Sequence, residues 1–92
     1  MTAVVHVDEN PLLRDALSVA LEAKGFRVSS FADARGAWKH LGERGADLVL
    51  LDIGLAEGSG LTLLGRIHDD PHFAAVPVVL LTDCRDPEVI RR

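Results

Sequence analysis

The feature that most constrains the fold of this chain is an unbroken apolar run, Leu48–Leu51, that ends in an acidic residue, Asp52. A strand that is apolar at every position is typical of a parallel sheet covered on both faces, because neither face of such a strand contacts water. The glycine-rich segment 53–60 follows directly, and glycine permits the tight turn that leads into the next helix. The carboxylate of Asp52 is therefore predicted to lie at the carboxyl end of its strand, where open α/β sheets bind ligands.

Strand patterns alternate with helical patterns along the whole chain. The predicted strands are Ala3–Val7, Phe26–Phe31, Asp47–Leu51 and Val76–Leu81. The predicted helices run from Pro11 to Gly25, from Asp33 to about Gly42–Gly45, and from about Ser59 to Asp70. Because strands that alternate with helices over short connections form right-handed crossovers, this order predicts a parallel sheet.

Two of the predicted helices carry an apolar stripe at helical spacing, which indicates the side that packs on the sheet. In the first helix the stripe is Leu13, Ala16, Leu17, Ala20 and Leu21. In the third helix it is Leu61, Leu64 and Ile67, which we expect to be core residues.

Length and composition exclude several classes of protein. A chain of 92 residues is one domain at most. The net charge of −4 and the lack of a basic recognition helix argue against direct contact with nucleic acid. No apolar run approaches the roughly 20 residues that span a bilayer, so no membrane contact is expected. The single cysteine, Cys84, excludes an intrachain disulfide and favours a cytoplasmic location.

A second acidic pair, Asp8-Glu9, follows the first strand as Asp52 follows the central one. Three carboxylates at one rim of a parallel sheet suit a divalent cation and a phosphoryl group. Simpler interpretations remain open at this point. Asp8 is also compatible with a loop acid, Asp52 with an ordinary turn residue, and Thr82 with an ordinary β-branched strand residue.

Three segments together resemble the receiver domain of two-component response regulators, over essentially all 92 residues. They are Val7-Asp8-Glu9, the segment from Leu51-Asp52 to Gly60, and Leu80-Leu81-Thr82. The resemblance implies a flavodoxin-like α/β fold with a doubly wound parallel sheet of strand order 2-1-3-4. It also implies a signalling module of a phosphorelay, phosphorylated by a sensor histidine kinase or a phosphotransfer protein.

The same resemblance assigns expected roles to five residues. Asp52 would be the phospho-acceptor, and Asp8 and Glu9 would bind Mg²⁺ together with Asp52 and the Gly54 backbone carbonyl. Thr82 would be the hydroxyl that turns toward the phosphoryl group. Such a domain assists its own phosphotransfer and is not an enzyme that turns over a substrate.

The chain also departs from the receiver pattern. Receivers continue through a fifth strand with a lysine that contacts the phosphoryl group, and through a last helix. The 92 residues would end within the fourth helix, which begins near Asp86, and the only lysines are Lys24 and Lys39. The strand at Val76–Leu81 would then be an apolar sheet edge, which predicts a homodimer through the exposed edge or face. The competing explanation for the missing elements is that the 92 residues are a fragment of a longer receiver. A separate departure is Asp83, which would add negative charge beside the phosphoryl pocket.

Two other functions compete with the phospho-acceptor. A degenerate receiver would act only as an interaction or dimerisation module, and Mg²⁺ binding would discriminate against it. A metal-dependent phosphohydrolase is disfavoured, because such enzymes need a general acid/base two residues after the nucleophile and that residue is Gly54.

Overall fold

The computed structural model describes residues 2–55 and 59–81, which form a four-stranded parallel sheet flanked by three helices. The strands are β1 (Ala3–Val7), β2 (Arg27–Phe31), β3 (Leu48–Asp52) and β4 (Val78–Leu81). The helices are α1 (Pro11–Ala23), α2 (Ala34–Arg44) and α3 (Ser59–Asp69), and a 3₁₀ turn, Pro71–Phe73, precedes β4. The order β2-β1-β3-β4 confirms the predicted doubly wound sheet.

Polar caps and glycines fix the ends of the helices. The Asn10 side chain accepts hydrogen bonds from the backbone of Leu12 and Leu13 and so caps α1. Gly25 follows the end of α1 with φ of 95°, a left-handed conformation that other residues adopt only with strain. Asp33 caps α2 by accepting a hydrogen bond from the Gly36 backbone. Each connection therefore returns the chain to the sheet within a few residues.

The core lies on the face of the sheet that α2 and α3 cover. Alternate residues of β1 and β3 point into it, since successive side chains of a strand face opposite ways. Helix α2 contributes its two buried residues, and α3 and the 3₁₀ turn supply the rest of the helical layer. The buried cluster consists of Val5, Val7, Ala37, Leu41, Val49, Leu51, Leu55, Leu63, Ile67 and Phe73.

The predicted stripe of α3 was partly wrong. Ile67 is buried and Leu64 packs against the core, but Leu61 is 59% exposed, and Leu63 is buried in its place with 2% exposure. Leu63 lies four residues before Ile67 and so also falls at helical spacing with it. The docking of Gly60 against the end of β3 selects the rotation of the helix that buries Leu63.

The predicted stripe of α1 is also only partly covered. Helix α1 lies over β1 and β2, so Leu17 and Leu21 are half-buried, but Leu13 is 54% exposed and no residue of α1 is fully buried. Val79 on β4, which pairs in register with Leu50, is 46% exposed. None of the described elements lies over the β3–β4 half of this face, and the expected helix from Asp86 falls outside the described residues.

The contrast between the two leucines of α3 can be tested directly. Leu63→Ala removes a buried side chain and leaves a cavity, so we expect a loss of about 2–5 kcal/mol in the free energy of unfolding. Leu61→Ala removes an exposed side chain and is expected to change that free energy by no more than about 0.5 kcal/mol. Urea unfolding followed by circular dichroism measures both, and equal losses would show that α3 is rotated from this position.

Candidate functional site

The acidic residues meet because β1 and β3 pair in register. Val7 lies beside Leu51 in this pairing. The residues that follow them along the two parallel strands are Asp8 and Asp52. Parallel strands end at the same edge of a sheet, so both carboxylates are delivered to one rim. Asp8 and Asp52 line a single open depression there, and Gly54 lines the same depression.

Asp8 is held firmly by its neighbours. Only 6% of the residue is exposed, and its Oδ1 accepts a hydrogen bond of 2.9 Å from the Asn10 backbone. Its backbone N–H donates to the Phe31 carbonyl on β2, and its own carbonyl accepts a bond of 2.8 Å from Nη1 of Arg14. The position of this carboxylate is therefore set by β2 on one side and by the first turns of α1 on the other.

Asp52 is positioned by the loop that follows it. Its Oδ1 accepts a hydrogen bond of 2.8 Å from the Gly54 backbone N–H. Gly60, at the start of α3, lies so close that a Cβ there would be 2.7 Å from the Asp52 carbonyl oxygen. Only glycine permits this approach, because real Cβ atoms do not come within 3.0 Å of another heavy atom. Helix α3 is thus seated directly on the backbone of the acidic residue.

The depression suits a cation that binds only a few protein ligands and takes the rest of its ligands from water or phosphate. Glu9 is also part of its lining and is exposed at the rim. Within residues 2–55 and 59–81, no three His, Cys, Asp or Glu side chains are arranged to hold a metal ion by themselves. Mg²⁺ commonly takes one or two carboxylates and completes its shell with water and phosphate oxygens, so Asp8 and Asp52 fit its requirements. Thr82 lies outside the described residues.

Comparison with known proteins decides the family. The model of the response regulator receiver domain matches residues 4–92. The chain belongs to this family. Receiver domains are signalling modules of two-component systems, and the sheet order found above is the receiver order, so the resemblance seen in the sequence is confirmed.

Relatives of this receiver include longer regulators and isolated domains. The virulence transcriptional regulatory protein PhoP of Salmonella typhimurium is 37% identical over 82 residues, which cover 89% of this chain and 36% of PhoP. The chain therefore spans about a third of the length of that curated relative. The N-terminal domain of a response regulator receiver protein from Methanoculleus marisnigri superposes with a TM-score of 0.86 at 31% identity, covering 96% of this chain and 72% of that one. The response regulator TrrA from Thermotoga maritima, solved in complex with Mg²⁺-BeF, superposes with a TM-score of 0.83 at 28% identity. The match covers 92% of this chain and 72% of the TrrA chain.

Among the described residues of this receiver, no helix combines the length and the apolar character needed to cross a membrane.

The residue near the acidic rim that the sequence pattern does not single out is His6. It is fully buried in β1, with Nε2 3.7 Å from Oδ2 of Asp8. Neither ring nitrogen has a hydrogen-bond partner among the described residues. The alternation of β1 could have indicated its orientation, because His6 and Asp8 are two residues apart and face the same side.

Burial is the main influence on the charge of His6. Loss of water lowers the pKa of the imidazole below its ordinary 6.5, and the guanidinium of Arg14 lowers it further. The carboxylates of Asp8 and Asp52 act in the opposite direction and raise the pKa, but burial outweighs them. His6 is therefore neutral at pH 7 and adds no positive charge under the acidic rim.

Replacing His6 should stabilise the receiver. His6→Leu removes two buried nitrogens that lack partners and keeps a side chain of similar volume, so we expect a gain of about 1–2 kcal/mol in the free energy of unfolding at pH 7. The pKa of His6 is lower in the folded state, so the unfolded chain takes up the proton first. Native stability should therefore be fully present above pH 6.5 and decrease as the pH falls toward the lowered pKa, and the variant should lack this component.

Urea titrations between neutral and mildly acidic pH measure both effects, with His68→Leu on the exposed side of α3 as the matched control. A His6→Leu variant that is less stable than the native chain at pH 7 would contradict the assignment of two unsatisfied nitrogens.

Proposed function

We propose that this receiver accepts a phosphoryl group on Asp52 with the help of Mg²⁺ held at Asp8. The observation that carries the proposal is the convergence of both carboxylates in one depression at the paired ends of β1 and β3. A carboxylate attacks an anionic phosphoryl group poorly unless the mutual repulsion is neutralised. Bound Mg²⁺ supplies that neutralisation, and the residues around it supply the positioning.

The proposed step moves one phosphoryl group between two atoms. An oxygen of Asp52 forms a bond to phosphorus while the bond to the donor breaks, and the donor leaves with its electron pair. The Gly54 N–H that donates to Oδ1 of Asp52 keeps the carboxylate in one orientation during the attack. Asp8, held by Asn10 and β2, keeps its position as charge develops, which lowers the reorganisation required.

The remaining site assignments are proposals of the same kind. Glu9, at the rim of the depression, is proposed to complete the acidic pair, and the Gly54 carbonyl to add a backbone ligand. Thr82 follows directly after β4, whose last residue, Leu81, pairs in register with Asp52. That register is consistent with a hydroxyl near the acceptor, and we propose Thr82 as the residue that binds the attached phosphoryl group.

The proposed donor is a phosphohistidine of a sensor kinase or of a phosphotransfer protein. The support is family membership, since receivers act in two-component systems. A cytoplasmic site of action fits that partnership.

Phosphorylation can be tested by intact-mass spectrometry of the 92-residue chain after incubation with acetyl phosphate and Mg²⁺. We expect a single hydroxylamine-sensitive phosphoryl adduct on the native chain and none on Asp52→Asn. Asp47→Asn is the matched control, because Asp47 lies at the opposite end of the sheet, where it accepts a bond from the Ala3 backbone. Chelation of Mg²⁺ should abolish the adduct.

A parallel NMR titration with Mg²⁺ measures metal binding directly. It therefore distinguishes a chain that binds the metal but fails to accept the phosphoryl group from a chain that lacks the metal site. The backbone amides of Asn10 and Gly54 donate to Asp8 and Asp52, so their resonances should shift when Mg²⁺ binds, and Asp8→Asn should weaken the shift. No adduct and no shift would overturn the proposal and favour an interaction module that works without phosphorylation.

We also propose that the chain self-associates through the incompletely covered face between α1 and β4. Leu13 on α1 and Val79 on β4 are large apolar residues on this face, with 54% and 46% exposure. The apolar side of α1 and Leu81 line the same depression as the acidic site, so the exposed surface is continuous. A second copy of the chain would remove this surface from water, which is the usual driving force for association.

Sedimentation velocity at chain concentrations up to about 1 mM tests the association. This concentration range detects dissociation constants up to the millimolar level. Val79→Ser should shift the equilibrium toward monomer. Val19→Ser, which changes an exposed valine of α1 outside the depression, should leave it unchanged. A native chain that stays monomeric over the whole range would exclude the proposed dimer.

A further inference from the structure

A second depression lies between α2 and α3. Its volume is about 460 Å³, and it is an open groove rather than an enclosed cavity. Ala34 and Leu63 provide apolar surface, Trp38 contributes its indole, and two arginines, Arg35 and Arg66, also line it. It has no lining residue in common with the depression that holds Asp8 and Asp52.

Trp38 is fixed in the groove by contacts on two sides. The ring of Phe73 packs edge-on against the indole with a centroid distance of 5.7 Å, and the Arg66 guanidinium lies over it at 5.7 Å. The guanidinium is held there by the attraction between its positive charge and the negative face of the aromatic ring. The groove therefore presents an ordered aromatic platform with a positive charge attached to it.

The two arginines offer positive charge that the described part of the chain does not neutralise. Both side chains are exposed, and within residues 2–55 and 59–81 no carboxylate forms a salt bridge with either of them. Arg35 comes from α2 and Arg66 from α3, so the charges sit on opposite walls of the groove. In a chain with net charge −4, this is a local positive site on an acidic protein.

We infer that this groove docks an acidic peptide segment of a partner protein, with an aliphatic side chain of the segment against Trp38. Carboxylates of the segment pair with Arg35 and Arg66, and guanidinium groups suit carboxylates because their parallel N–H donors match two oxygens. The apolar residue lies against the indole and the buried Leu63. An open groove with cations on both walls suits an extended peptide chain, whereas small molecules are usually bound in enclosed pockets.

Trp38 is the only tryptophan of the chain, so the tryptophan emission comes from the surroundings of this groove. The test titrates the 92-residue chain with the peptide acetyl-EELLEE-amide and compares acetyl-QQLLQQ-amide, which has the same leucines without charge. Titration to about 1 mM covers dissociation constants up to the millimolar level. We expect a saturable change in emission with the acidic peptide, weakened by added salt, and at least about fivefold weaker binding of the neutral one.

Charge-removing variants locate the binding. Arg35→Gln and Arg66→Gln should each raise the dissociation constant about two- to fivefold, the effect expected for an exposed ion pair, and both together should raise it roughly tenfold. Lys39→Gln is the matched control, because it removes a charge from the same helix outside the groove, and it should change the constant less than about twofold. Asp52→Asn should bind the peptide as the native chain does, which keeps this result separate from phosphorylation.

Several outcomes would overturn the inference. These are no saturable change in Trp38 emission, equal binding of the acidic and neutral peptides, or a Lys39→Gln effect as large as that of either arginine variant. Tighter binding of a short oligodeoxythymidylate with the same arginine dependence would assign the groove to single-stranded nucleic acid instead.

Discussion

The parallel register between β1 and β3 is the constraint on which the rest of the structure depends. Placing Val7 beside Leu51 buries Val5, Val49 and their neighbours together under α2 and α3, and the same register leaves the two acidic residues next to each other where the strands end. A slip of one residue would turn every side chain of a strand to the other face. The hydrophobic core therefore fixes the acidic site, because both require a single alignment of the two strands.

The acidic rim receives no compensating charge from the imidazole beneath it. His6 lies under Asp8, but burial lowers its pKa and keeps it neutral at pH 7. The backbone amides of Asn10 and Gly54 donate to the carboxylates of Asp8 and Asp52 and hold them in place without adding a charge. The neutral imidazole therefore does not compete with an external cation for the rim, whereas the Arg14 guanidinium, bonded to the Asp8 carbonyl, is a positive charge at its edge.

The two faces of the sheet differ in how completely they are covered, and each has its own consequence. The face under α2 and α3 holds the buried core, and the groove between those helices combines apolar surface with an indole and two arginines. On the opposite face, α1 covers β1 and β2, and large apolar side chains remain exposed toward β4. The structure thus separates a charged surface suited to a polar segment from an apolar surface suited to burial against another copy.

The sequence by itself determined the element order, the parallel sheet, the helix caps and the acidic residues at the strand ends. These features depend on local patterns: Leu48–Leu51 is apolar throughout, and Asn10 and Asp33 precede their helices. Only the tertiary structure decided that Leu63 rather than Leu61 is buried, that Leu13 stays exposed, that His6 lies under Asp8, and that Arg66 contacts Trp38. Helical spacing defines a stripe only to within a fraction of a turn, whereas the rotation of α3 is set by the contact of Gly60 with β3, between residues of two different elements.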